Sequence, residues 1–129
     1  MENTNFSITH TTKGRPPRLP FLDIKNKILG KKYRVGLVFI GTARSRALNR
    51  HYRNKNRPAN ILTFPLSKNE GEIFMTMSLI KKEQKQFDAS LRRCVARFFI
   101  HGLLHLKGLG HATIEKEKKE EFYLKKFGF

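Results

Sequence analysis

Acidic side chains are scarce in this chain. Its 129 residues carry 27 Lys or Arg against 10 Asp or Glu, a formal charge of +17. Cysteine is scarcer still. Cys94 stands alone, which excludes an internal disulfide and gives no support for secretion. No apolar run approaches the ~20 residues of a membrane span. The opening stretch, MENTNFSITHTTKGR, is polar and lacks a signal-peptide core. A reducing, cytoplasmic setting with no membrane partner is the expectation. The missing acids point to a polyanion, either nucleic acid, the ribosome or an acidic surface. A generally basic proteome would give the same balance without that meaning.

Apolar material is nevertheless present. Eleven Phe supply a core that a long disordered protein would lack. A chain of this length buries enough surface to fold without disulfides or metal. With no repeat, low-complexity tract or linker in view, a single domain over residues 1–129 is expected. The charge is uneven. Residues 24–69 hold twelve Lys or Arg and no acid, whereas residues 113–129 hold five basic and four acidic side chains. The latter read as an amphipathic helix anchored by Ile114, Phe122, Leu124 and Phe127.

Element signals alternate along the chain. Residues 6–9 suggest a short strand. A helix is expected over 21–29, stopped by Gly30. YRVGLVFI (33–40) reads as a buried strand. Residues 43–53 read as a helix with Ala47 and Leu48 inward and its arginines outward. NILTF (60–64) reads as a strand ended by Pro65, joined as a hairpin to EIFMTM (72–77) through SKNEG. A short helix over 79–86 follows. The next helix is the clearest: Asp88 or Ser90 can cap it, it runs over 91–107, and Gly108 stops it. Four strands among about five helices give an α+β domain, a small mixed sheet with helices on it.

Three of the five histidines lie in HGLLHLKGLGH. His101 and His105 are four apart, so on a helix they point the same way, one turn above the other. Gly108 can break that helix and Gly110 permits a tight return, bringing His111 back as a third ligand. Three neutral imidazoles leave one vertex of a zinc ion open for water, as in catalytic sites. The competing interpretation is structural. Cys94, Phe98, His101 and His105 also form a stripe at helical spacing, which two histidines would merely extend. The spacing resembles the metzincin protease motif, but there a Glu follows the first His. Gly102 stands at that position, so a protease would have the metal without its base.

HGLLHLKGLGH is similar to the H-G-x-L-H-L-x-G-Y-D-H of the YbeY family of bacterial endoribonucleases, also called rRNA maturation factors. Two more blocks, LNRHYRNKNRPANILTFP (48–65) and GEIFMTM (71–77), resemble family motifs and occur in family order. The departures are Leu109 and Gly110 for Tyr-Asp, Ala59 for Thr, Asn56 for Asp, Thr63 for Ser, and Glu72 for Asp. The resemblance implies an α+β fold with a small, mostly parallel four-stranded sheet. It implies a metal-dependent, single-strand-preferring endoribonuclease that matures the three-prime end of small-subunit rRNA and acts in ribosome quality control. It also implies one Zn2+ held by His101, His105 and His111 and a functionally important Arg53; His101 and Arg53 are the expected catalytic residues.

The expected partners are an rRNA precursor and the ribosome or its small subunit, with no DNA. Among the twelve cations, Arg50, Arg53, Lys55 and Arg57 are the expected RNA contacts, binding through counterion release. Arg53 stands at the arginine of the family's Y-R pair, and its guanidinium suits charge building up at phosphorus. Tyr52, Phe64 and Phe74 could stack on bases, although core packing explains Phe64 and Phe74 better. His10 and His51 read as surface residues, and Asn60 as a backbone, substrate or turn contact. The rival functions are a non-catalytic assembly factor with a structural metal, a metallohydrolase of another substrate, and a nucleic-acid binder without metal.

Overall fold

Short β-branched and aromatic runs alternate with helical ones, and in the computed structural model each run becomes its own element. The structure describes residues 5–87, 90–108 and 114–129. The elements are β1 (Phe6–His10), α1 (Phe21–Leu29), β2 (Arg34–Phe39), α2 (Thr42–Arg53), β3 (Ile61–Ser67), β4 (Glu70–Met75), α3 (Met77–Phe87), α4 (Leu91–Leu106) and α5 (Ile114–Lys126). The sheet order is β1-β2-β4-β3. β1 and β4 run parallel to β2, while β3 pairs antiparallel with β4 as a hairpin. The α+β class with a mostly parallel four-stranded sheet is as the sequence implied. None of the described helices is long and apolar enough to cross a membrane.

Helix ends follow the local chemistry. α1 stops at Gly30, whose φ of 92° suits a residue without Cβ. The Ser90 side chain caps α4 by accepting from the Arg93 amide at 3.0 Å. Asp88, the other expected cap, lies outside the described residues. After α4, Gly108 takes a φ of 104°.

Three expectations change. β3 does not end at Pro65: it continues to Ser67, with a register irregularity between Pro65 and Ser67. As an edge strand it tolerates a residue that lacks an N–H. In α2, Ala47 is exposed and Leu48 only half-buried. The inward residues are Ser45 and Asn49, because they bond to the following loop. In α5, Ile114 and Phe122 are exposed, Leu124 is buried and Phe127 half-buried; Lys116 and Glu120 are buried instead.

The core lies between the sheet and α4. Val35, Leu37, Phe39, Ile73 and Met75 from the sheet meet Val95, Phe99, Ile100 and Leu103 of α4, with Ile24 and Ile28 of α1 alongside. Gly102 sets how closely α4 approaches. A Cβ there would sit 2.9 Å from Ile61 Cδ1, 3.1 Å from Thr63 Cγ2 and 3.2 Å from Ile73 Cδ1. The missing side chain lets the helix seat on β3 and β4, with His101 and His105 above the sheet's β3 edge. A glutamate at position 102 would drive into the sheet, so a protease-like base has no room.

Candidate metal centre and nucleic-acid interface

α4 presents two sides. Val95, Phe99, Ile100 and Leu103 are buried, whereas Cys94, Phe98, His101 and His105 form a half-buried stripe. The stripe is at helical spacing, as the sequence suggested: Cys94 and Phe98 pack against the core, and all four side chains also border cavities.

One cavity, of about 550 Å³, brings His101 and His105 together with Arg53, Lys55 and Lys116, over a floor of Ile61 and Thr63. Arg53 and Lys55 reach it because α2 ends there. Asn54 adopts the left-handed conformation at φ 57°, and its amide bonds back to Arg50 O. Asn49 Nδ2 donates to Arg57 O at 2.8 Å. Ser45 Oγ both donates to Ala59 O at 3.0 Å and accepts from Ala59 N at 2.9 Å. The polar inward face of α2 therefore holds the loop that carries the cations. Arg50 and Arg57 are exposed and do not line this cavity.

His101 is held from behind. Its Nδ1 lies 2.6 Å from Glu120 Oε2. A carboxylate accepts, so the imidazole donates from Nδ1, and in the neutral ring that leaves the lone pair on Nε2, on the opposite side. Arg97 Nη1 lies 3.5 Å from Glu120 Oε1 on the other side of that carboxylate. Lys116 Nζ lies 3.4 Å from His101 Nε2. Burial lowers the Lys116 pKa, and Glu120 opposes that shift in part. Glu120 and Lys116 are four apart on α5, among the mixed charges of the amphipathic helix that the sequence implies. Their burial beside a histidine is a tertiary fact that charge patterning does not encode.

The donor set fits a zinc-like ion. Two imidazoles one turn apart border one cavity, and a carboxylate fixes the tautomer of one of them, as around many histidine-bound metals. Among the described residues no group of three His, Cys, Asp or Glu side chains could hold an ion. The third expected ligand, His111, lies outside the described residues, as do Leu109 and Gly110.

The remaining candidates separate. Phe74 is buried, Phe64 half-buried, and both pack beside Leu62 and Ile40. Tyr52 is exposed and tilts over Phe64 at 5.1 Å. His51 packs edge-on to Tyr52, and exposed His10 stacks on Phe39. Asn60 Nδ2 donates to Glu83 Oε1 at 3.2 Å, tying the start of β3 to α3.

A family model described as "Endoribonuclease YbeY" matches residues 19–127. Curated relatives of that name include one from Buchnera aphidicola, 33% identical over 124 residues, covering 86% of this chain and 80% of the relative. Another, from Pelagibacter ubique, is 31% identical over 120 residues, covering 84% of this chain and 78% of the relative. A third, from Thermotoga maritima, is 29% identical over 102 residues, 78% of this chain and 67% of the relative. The fold is similar to a Thermotoga maritima protein solved in solution, with a TM-score of 0.70 and 23% identity across 95% of this chain and 88% of that one.

Proposed function

The chain belongs to the endoribonuclease YbeY family, and on that footing we propose that it cuts single-stranded RNA at a metal centre built on α4. The observation that carries the proposal is the cavity where two imidazoles meet three cationic side chains. The residues that would hold the ion are His101 and His105, with His111 as third ligand. The ion is zinc, which when bound supplies Lewis acidity towards a phosphoryl oxygen or a water of lowered pKa. Three protein ligands leave a coordination position open.

The chain's own groups do the rest. Glu120 orients His101 through Nδ1. Arg53 grips two phosphate oxygens and offsets negative charge that develops at phosphorus. Lys55 and Lys116 add positive potential in the same cavity. Arg50 and Arg57, outside it, attract the flanking phosphates at longer range. The described residues give no evident general base at the scissile bond. The nucleophile is therefore either water or the ribose 2′-hydroxyl, and a 2′-deoxy sugar at the cleavage position separates them. Cutting that persists there eliminates attack by the ribose.

The substrate proposed is an rRNA precursor, processed at the three-prime end of the small-subunit RNA and in ribosome quality control, in the cytoplasm and in contact with the small subunit. A non-catalytic assembly factor is the second reading. The Lys116 amine beside His101 Nε2 favours it, since an amine there can occupy the position of a cation. Incubating purified protein with single-stranded RNA, with and without chelator, decides between them. Chelator-sensitive cutting supports the nuclease, and intact RNA at every metal concentration overturns it.

A further inference from the structure

A second cavity of about 550 Å³ adjoins the first and shares Ile61 and His101 with it. Its character differs. Phe98 and Ile61 give it apolar walls, and Cys94 and Glu83 also line it. Its ionisable lining is balanced. Arg97 is paired with Glu120 and with Glu121 at 3.2 Å, and Arg93 with Glu121 at 3.4 Å. A phosphate gains little there. A flat, neutral ring with polar edges gains more, because Phe98 can stack on it and a carboxylate reads its donors.

We propose that this cavity receives one unpaired base of the RNA, that of a nucleotide next to the phosphate held at His101. The inference rests on the nuclease reading for the neighbouring phosphate. Nucleotides repeat phosphate and base along one chain, and the two cavities repeat the same alternation across one shared wall. Glu83 sets the preference. Its Oε1 accepts from Asn60 at 3.2 Å, which holds the carboxylate at the cavity wall. Adenine, cytosine and guanine can each donate an exocyclic amino group to such a carboxylate, whereas uracil offers only its ring N3–H, so the amino-bearing bases are the expected preference.

Cys94, the sole cysteine, reports occupancy. Its thiol pKa is raised chiefly by burial, so labelling with a small methanethiosulfonate is run at mildly alkaline pH. With chelator present to prevent cutting, the labelling rate is measured with three probes of equal length. These are a mixed-sequence single-stranded RNA, oligouridylate, and a ribose-phosphate oligomer lacking bases. Binding of each is followed separately by anisotropy.

At saturation the mixed RNA slows labelling about tenfold, as burial of a stacked base requires. Oligouridylate slows it less, and the abasic oligomer hardly at all. Equal protection by the abasic oligomer overturns the base pocket while leaving RNA binding intact. Bound RNA that gives no protection does the same. Absence of binding by every probe, with zinc restored as well as with chelator, removes the nuclease reading together with the pocket. Glu83→Gln, whose side chain is half-exposed, narrows the difference between mixed RNA and oligouridylate. An unchanged difference in that variant refutes the role of Glu83. Phe98→Ala weakens protection by both RNAs, with a thermal melt confirming that the variant folds.

Discussion

The two cavities that meet at His101 are equal in volume and opposite in character. The one beside His105 takes three cations and no acid; the one beside Phe98 takes two arginines and two glutamates that largely neutralise one another. His101 touches both, and Glu120 behind it serves both, orienting the imidazole and balancing Arg97. The difference teaches that a net charge of +17 is not spread as a uniform field. Positive charge is concentrated where a phosphate would sit, with Glu120 set behind His101 and outside the cavity lining. The adjoining surface is kept neutral and apolar by pairing.

The largest effect on that contrast comes from its cationic side. Arg53→Ala is expected to reduce the cleavage rate by about 100-fold or more, as loss of one transition-state contact does. Zinc content should stay the same, because Arg53 is not a ligand. The salt dependence of RNA binding should also become shallower, by about one unit in the slope of log affinity against log salt. Rates from single-turnover cleavage and a salt series of anisotropy titrations check both.

Glu120→Gln strikes the shared wall. The amide cannot carry the same charge towards Nδ1 of His101, so zinc affinity should fall by about 10- to 100-fold. Competition against a chromogenic chelator measures this. An unchanged affinity would reduce Glu120 to a partner of Arg97 alone.

Gly102→Ala tests the floor beneath both cavities. The new methyl meets three side chains, two of them buried, at 3.2 Å or less. Overpacking of this kind costs about 1–3 kcal/mol, against a helix-propensity gain of about 1 kcal/mol. A net loss of about 1 kcal/mol is expected from denaturant titration, with weaker zinc binding because α4 moves off β3.

The smallest effect concerns Lys116. Its pKa is lowered in the folded protein from the usual 10.5. Between the lowered value and 10.5 the unfolded chain binds more protons, so this group makes stability rise with pH in that window. Below it, the buried charge destabilises the fold by the full linkage amount. Lys116→Met should therefore melt higher than the parent near neutral pH, with the gap closing as pH approaches 10.5. A gap independent of pH would show that Lys116 is held in its ordinary charged state.

Much of the fold was legible in the sequence, for local reasons. Gly30 and Ser90 mark helix ends by backbone conformation and capping, and both act as the residue types dictate. The His101 and His105 pair was legible because helix geometry alone puts residues four apart on one side. The misreadings share a cause, which is that periodicity sorts residues by polarity alone. Ser45 and Asn49 face inward on α2 because their hydrogen bonds close the 57–59 loop, and Ala47 turns outward as a result. Lys116 and Glu120 are buried on α5 because His101 lies opposite them, while Ile114 and Phe122 stay exposed. Pro65 sits inside a strand because β3 is an edge, a property of strand order rather than of residue 65. The second cavity was invisible for the same reason: Ile61, Glu83 and Phe98 come from three elements and form no local motif.

The most direct test of the central claim is zinc content measured alongside cutting of single-stranded RNA, on the parent protein and on His105→Ala. The account predicts about one zinc per parent chain, the count for a single catalytic site, together with chelator-sensitive cutting. Both should be lost in the variant while its thermal melt stays cooperative. Equal zinc and equal cutting in the two proteins would contradict it.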